Sequence, residues 1–290
     1  MTTAIARTGI TDVAGWVGTY PFRGIRGSSL EDLGARCGDL GIDRIVVSAF
    51  ENLFWQNNLD AYASWAQRVF EHPILSGLAE YWPVVNPAHP GQVRRLEPLL
   101  DRFEPRGLRL LPNYHRYHTW DPRVADLMAL ARERNLVVQV FCRIADERWH
   151  WMLRTAAVDL ANDLMYLASQ FDEQRILLSA LNPGELGDLA PRVRQLPGLY
   201  VDISRMRGPA FALEGLLETL SADKILFGSL WPLQMIEATL WQVTWSRAPE
   251  ATKQAILQGN FQRMIPHEHD VQGRDGTVPR PGQPGPPASR

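Results

Sequence analysis

The stretch Thr11-Asp12-Val13-Ala14-Gly15-Trp16-Val17-Gly18 reads as a short strand closed by a glycine, and seven further runs of the same kind follow it. They are 43–49, 81–86, 107–112, 136–142, 175–181, 199–203 and 224–228. Between them lie runs with apolar residues at mixed spacings of three and four, the signature of amphipathic helices. These are Leu30 to Leu40, Leu59 to Phe70, Val93 to Phe103, Pro122 to Arg134, Thr155 to Phe171 and Ala210 to Leu220. Asp121 before Pro122 places a capping acid ahead of a proline at the first helical position. Strands that alternate with helices predict a parallel sheet with helical crossovers. Eight such units close a (β/α)8 TIM barrel, so the expected fold is α/β, a single barrel domain over 9–266.

Composition narrows the partners. The chain has 290 residues, 45% of them hydrophobic and 21% charged, and a formal net charge of −2. That balance gives no electrostatic footprint for nucleic acid or for a membrane surface. A small-molecule substrate is the expected partner, with a homo-oligomer open. The two cysteines, Cys37 and Cys142, have no close-spaced mate, which is cytoplasmic-type usage without a disulfide framework. No stretch reaches about 18 uninterrupted apolar residues, so no membrane span is expected. From 267 to 290 the chain turns polar and rich in Pro and Gly, and is expected to be a disordered tail. His267 and His269 in that tail have ligand spacing but read as solvated.

Four motifs, taken in order and spacing, carry a family resemblance. They are Asp12-Val13-x-x-x-Val17-Gly18; Gly107-Leu108-Arg109-Leu110 followed by Pro112-Asn113-Tyr114-His115; Ile225-Leu226-Phe227-Gly228-Ser229 before Trp231-Pro232; and Leu257-x-Gly259-Asn260-Phe261-x-Arg263. From about Asp12 to Ile265 the chain resembles the amidohydrolase-related TIM-barrel proteins, the branch that includes metal-dependent decarboxylases. The resemblance implies a histidine pair on the first strand, a histidine at the end of the fifth, another on the sixth and an aspartate on the eighth. At those positions this chain has Ala14 and Trp16, Phe141 or a neighbour, the stretch Ser179 to Asn182, and Leu230. Alanine, tryptophan, phenylalanine and leucine offer no ligand to Zn²⁺. The expectation is therefore no metal ligands at the family position and no cofactor. A rebuilt site from His89, His115 and His150 is the alternative.

In a TIM barrel, residues at and just after the carboxyl ends of the strands build the site. His115, past the fourth strand, is the first candidate for acid/base work near neutral pH; its bland reading is a loop histidine bonded to a neighbouring βα loop. Asp202, Glu51 and Asp146 are further acid/base candidates, provided burial raises them. Asp146 sits in a charge run, Glu51 could cap a helix turn, and Asp202 could serve a structural bond. Arg23 and Arg143 could clamp a carboxylate, or could make inter-loop ion pairs. Asn113, Tyr114, Trp16, Trp55, Phe141 and Trp231 complete the expected binding surface, with Trp16 and Phe141 filling the old metal cavity with apolar volume.

The sequence thus predicts a metal-independent barrel enzyme acting by side-chain chemistry on a small apolar or aromatic molecule that bears a carboxylate. Lyase, isomerase or cyclase, and hydrolase chemistry all stay open. A non-catalytic descendant that binds a ligand or a partner, or an enzyme with a rebuilt metal site, are the alternatives.

Overall fold

The computed structural model describes residues 9–145, 155, 158–206 and 211–265. In chain order the elements are β1 (Thr11–Val17), α1 (Leu30–Leu40), β2 (Arg44–Ala49), α2 (Phe50–Phe54), α3 (Asn58–Glu71), β3 (Ala79–Tyr81), α4 (Gln92–Phe103), β4 (Gly107–Leu110), α5 (Pro112–His115), α6 (Pro122–Glu133) and β5 (Val137–Phe141). They continue with α7 (Met165–Gln170), β6 (Ile176–Ser179), α8 (Pro183–Gln195), β7 (Leu199–Asp202), α9 (Ala212–Thr219), β8 (Ile225–Leu226), α10 (Ile236–Thr244), α11 (Glu250–Gln254) and α12 (Asn260–Met264).

All paired strands are parallel, in the orders β1-β2-β3 and β4-β5-β6-β7-β8. Two sets of backbone bonds join these arcs into a barrel. Arg109 N donates to Pro83 O at 2.8 Å and Val85 N to Arg109 O at 2.9 Å, while Val13 N reaches Phe227 O at 3.0 Å on the other side. Closure of this kind leaves no free sheet edge.

Local chemistry explains where the helices begin and end. Ser29 caps α1 by accepting from Asp32 N, and Gly41 ends it in the left-handed conformation. The eight strands fall where the sequence puts them, although β3 is Ala79–Tyr81 rather than 81–86. Pro83 there lacks an amide, so the chain touches β4 only through an isolated bridge, Val84 with Arg109. Six helices, α2, α5, α8, α10, α11 and α12, lie outside the six helical runs. The α8 start carries a full signal: Asn182 and Glu185 form a reciprocal capping box with Pro183 in the first turn. The Thr155 to Phe171 run is described from 158 onward and includes a π-helical turn at Leu160–Leu164 before α7. The expected disordered tail lies outside the described residues. Among them, no helix is long and apolar enough to cross a membrane.

Side chains inside the barrel form three layers. The bottom layer is apolar: Val13, Val46, Trp82, Val137, Leu177 and Leu226 pack with Phe261, Met264 and Ile265 from the closing helix. The top layer, at the carboxyl ends of the strands, is apolar and aromatic. Between them lies a polar layer with Arg109 at its centre, fully buried. The guanidinium donates to Gln139 Oε1 (2.8 Å), Gly15 O (2.8 Å), Val13 O (3.0 Å) and Val46 O (2.9 Å). The register of β1 against β2 shifts between Asp12 and Gly15, and a bulge of this kind re-aims backbone groups. It is the carbonyls in that irregular stretch that Arg109 takes. Gln139 extends the layer by donating to Val13 O at 2.9 Å and to Ser179 Oγ at 2.8 Å.

Replacing Arg109 with Met leaves the Gly15 and Val46 carbonyls buried without these donors. The expected loss is about 3–5 kcal/mol of unfolding free energy, seen as a lower urea midpoint at unchanged slope. An unchanged midpoint would show that those carbonyls do not depend on Arg109.

Candidate active site

The four clearest family ligand positions converge. Ala14, Trp16, Phe141 and Leu230 are all fully buried and belong to one cluster, together with Phe50, Val84, Leu111, Ile144 and Ala180. Trp16 stacks on Phe50 with ring centroids 5.5 Å apart and meets Phe141 edge-on at 5.4 Å. Rings continue outward: Tyr20 lies 5.1 Å from Phe50, Phe22 lies 5.5 Å from Tyr20, Phe54 lies 5.3 Å from Phe22, and Tyr114 lies 6.0 Å from Phe54. The result is an aromatic column from the barrel interior to its mouth. At its foot the Arg109 guanidinium lies 5.1 Å from the Trp16 ring and 5.2 Å from Phe141, a buried cation–π arrangement.

A metal does not fit at this position. The side chains that meet there are an alanine, a leucine and two aromatic rings packed against each other. Among the described residues, no group of three or more His, Cys, Asp or Glu could hold a metal ion. The backbone nevertheless keeps an unusual shape at Leu230 (φ 61°) and Ala180 (φ 61°), a left-handed conformation that Asp and Asn adopt more readily than Leu. Leu230 therefore occupies a turn whose geometry suits the missing aspartate.

The acid/base candidates sit around this column, each engaged with the scaffold. His115 Nε2 lies 3.0 Å from Leu53 O, in the short helix α2 that follows β2. A carbonyl only accepts, so the proton belongs on Nε2 in the neutral ring. Burial pushes this imidazole below its ordinary value, against the opposing pull of the Leu53 and Val85 carbonyls. Glu51 turns toward the β1–α1 loop. Its Oε1 accepts from Thr19 N at 2.9 Å, and a Cβ on Gly18, which has φ 85°, would collide with Oε2 and press on Trp65. Gly18 thus gives both the turn and the room that Glu51 needs.

Asp202 is fully buried at the end of β7. Its Oδ1 accepts from Ser204 Oγ (2.6 Å), Ser204 N (2.9 Å) and Ala180 N (3.3 Å), and its Oδ2 is buried without a hydrogen bond. Burial pushes this carboxyl up, with the Ser179 and Ser204 hydroxyls and the Ser204 and Ala180 amides pulling it back. Asp146 and His150 lie outside the described residues.

Among the binding candidates, Arg143 makes a two-pronged pair with Glu185, both contacts at 2.6 Å, which anchors the loop after β5 to the start of α8. Asn113 Nδ2 donates to Cys142 O at 2.9 Å. Trp231 is partly buried, with its ring packed against Gly27. Trp55 is 60% exposed. Arg23 is exposed beside Tyr20, close enough to act on that phenol electrostatically.

The sequence reading placed Asp12 and Arg109 only within motifs, with no role at the site, and did not single out Phe50 or Phe54. The first two had a signal: in a strand buried on both faces, a charged residue such as Arg109 within Gly107-Leu-Arg-Leu marks an inward polar group that needs partners. Phe50 and Phe54 had none, because whether a loop ring turns toward the axis depends on the turn that follows the strand.

The comparisons with known proteins agree with the geometry. A family described as amidohydrolase matches residues 20–266. Similar solved structures include 5-carboxyvanillate decarboxylase from Sphingomonas paucimobilis, with TM-score 0.67, 14% identity, 89% of this chain and 99% of that one covered. A second is 2,6-dihydroxybenzoate decarboxylase from Rhizobium, with TM-score 0.67, 12% identity and coverage of 89% and 98%. A third is an uncharacterized TIM-barrel protein from Bordetella bronchiseptica, with TM-score 0.64, 17% identity and coverage of 92% and 100%. No curated protein matches the chain.

His115→Gln keeps a donor toward Leu53 but cannot titrate. An imidazole whose folded pKa lies below its unfolded value contributes stability that is complete above about pH 6.5 and falls as pH drops below it. The variant should lose that acid-side fall, measured as the difference between wild-type and variant unfolding midpoints at about pH 7 and about pH 5. An identical pH dependence in the two proteins would show that His115 is not buried in its neutral form.

Proposed function

Because the chain belongs to the amidohydrolase family, yet its ligand positions pack into an aromatic column, we propose that it acts without a metal at the family position. In this reading it takes a small aromatic or apolar carboxylate-bearing molecule at the mouth of the barrel. The carrying observation is the merger of Ala14, Trp16, Phe141 and Leu230 into a single buried cluster, rimmed by Tyr20, Phe22, Phe54 and Tyr114. Aromatic rings of this kind accept a flat ligand by offset or edge-on packing. Arg23 beside Tyr20 supplies a guanidinium for the carboxylate. Two of the similar structures are decarboxylases of aromatic acids by name, which supports the same ligand class here.

The chemistry available is proton transfer by side chains. His115, which burial disposes toward its neutral form, and Asp202, which burial disposes toward its protonated form, are the two separate acid/base candidates that fit. Without a metal-activated hydroxide, lyase or isomerase chemistry fits these groups better than hydrolysis. A second reading, binding without turnover, is favoured by one specific observation. His115, Glu51, Asp202 and Arg143 are each already bonded to the scaffold.

Elemental mass spectrometry on protein purified without chelators or a histidine tag should find less than about a tenth of an equivalent of any divalent transition metal. About one equivalent retained through dialysis would overturn the metal-free reading. Calorimetric titration with simple benzoates should give binding that Arg23→Met weakens at least about tenfold. Turnover of the bound acid supports the enzyme, and binding without turnover supports the second reading.

A further inference from the structure

Arg109, Asp12 and Asp202 are fully buried and act on one another electrostatically. Two carboxylates and one guanidinium would leave an uncompensated negative charge in a water-excluded interior, which the low dielectric penalises heavily. Arg109 pairs directly with neither acid, since its donors go to Gln139 and to the carbonyls of Val13, Gly15 and Val46. Its cation is therefore shared at a distance.

The two acids are solvated unequally by the protein. Asp12 has both oxygens occupied: Oδ1 accepts from Ala14 N (3.0 Å) and Ser229 N (3.0 Å), and Oδ2 accepts from Ser229 Oγ (2.5 Å). Asp202 takes three of its bonds on Oδ1 and none of them on Oδ2, with the Ser179 hydroxyl, among the described residues, the only further donor acting on the carboxyl. Both flank the segment Gly228-Ser229. Asp12 holds the Ser229 amide, and a Cβ on Gly228 would lie 3.2 Å from Asp202 Cγ and 3.0 Å from Ala14 Cβ. A side chain at 228 would crowd Asp202, so glycine there eases its approach to the segment that Asp12 holds.

We infer that Asp12 and Asp202 hold a single proton between them at neutral pH, that it resides on Asp202 Oδ2, and that Asp12 is the carboxylate balanced by Arg109. Close hydrogen bonds to both oxygens favour the ionised form of Asp12, whereas Asp202, with its close bonds gathered on Oδ1, is the better holder of the neutral acid. Burial pushes Asp12 up to about 6 and Asp202 upward as well, and lowers Arg109 to about 9, which leaves it a cation at neutrality. The other titratable groups facing the pair are the thiols of Cys37 beside Asp12 and Cys142 beside Asp202, both raised by burial and so uncharged. The inference holds whether the mouth turns over its ligand or only binds it. It makes Asp202 a proton source next to a former ligand position, Ala14.

The test uses the full-length protein with ¹³C-labelled aspartate carboxyl carbons, followed by NMR from about pH 5 to about pH 9. One buried signal should stay at the protonated position through about pH 7 and vanish in Asp202→Asn. A second should titrate near pH 6 and vanish in Asp12→Asn. In Asp12→Asn the Asp202 signal should ionise at lower pH, because the like charge beside it is gone. Two ionised signals at about pH 7 in the wild-type protein would overturn the inference. So would a protonated signal that vanishes in Asp12→Asn rather than Asp202→Asn. If either variant fails to fold, infrared spectroscopy of the wild-type protein in heavy water decides the protonation state: a buried protonated-carboxyl band at neutral pH supports the stored proton, and its absence overturns it.

Discussion

Arg109 ties four strands of the barrel through one side chain. Its guanidinium bonds the backbone of β1 at two points and of β2 at one, reaches Gln139 on β5, and is itself carried by β4. A buried cation without a carboxylate in contact is tolerated because carbonyl dipoles and a side-chain amide replace most of its hydration. The bulge in β1 is part of the same arrangement, since the Val13 and Gly15 carbonyls lie within it. Above Arg109 the Trp16 and Phe141 rings present their faces to the cation. The polar layer thus positions the aromatic layer as well as closing the barrel.

That stacking gives the absence of donor side chains at Ala14, Trp16, Phe141 and Leu230 a structural form. Ligand positions in a barrel converge by geometry, whatever residues occupy them. When donors give way to Ala14, Trp16, Phe141 and Leu230, the same convergence produces dense apolar packing. Trp16 and Phe141 supply the volume, and Phe50, the first residue of α2, comes in to complete it. The chain takes a left-handed turn at Leu230, after the end of β8.

Much of this was legible in the sequence. The eight strand runs and six of the helices follow from periodicity, and α1 is bounded by caps visible at Ser29 and Gly41. The apolar character of the ligand positions could be read directly, since Ala14, Trp16 and Leu230 are identities and not geometries. Other features escaped. Glu51 could be placed after β2, but that it faces Thr19 and Gly18 depends on a loop contact 32 residues away in sequence. Arg143 could clamp a ligand or a partner loop, and the choice of Glu185 rests on how α8 begins.

The sequence by itself determined the barrel, its order of elements and the loss of donors at four ligand positions, because alternation, capping and side-chain chemistry are local properties. Tertiary structure alone decided which buried charges meet and what each polar group spends its bonds on. Asp12, Asp202 and Arg109 lie on strands far apart in the chain, and only closure of the barrel brings them to act on one another. No local pattern encodes such a meeting, since its energy comes from excluding water around all three groups at once.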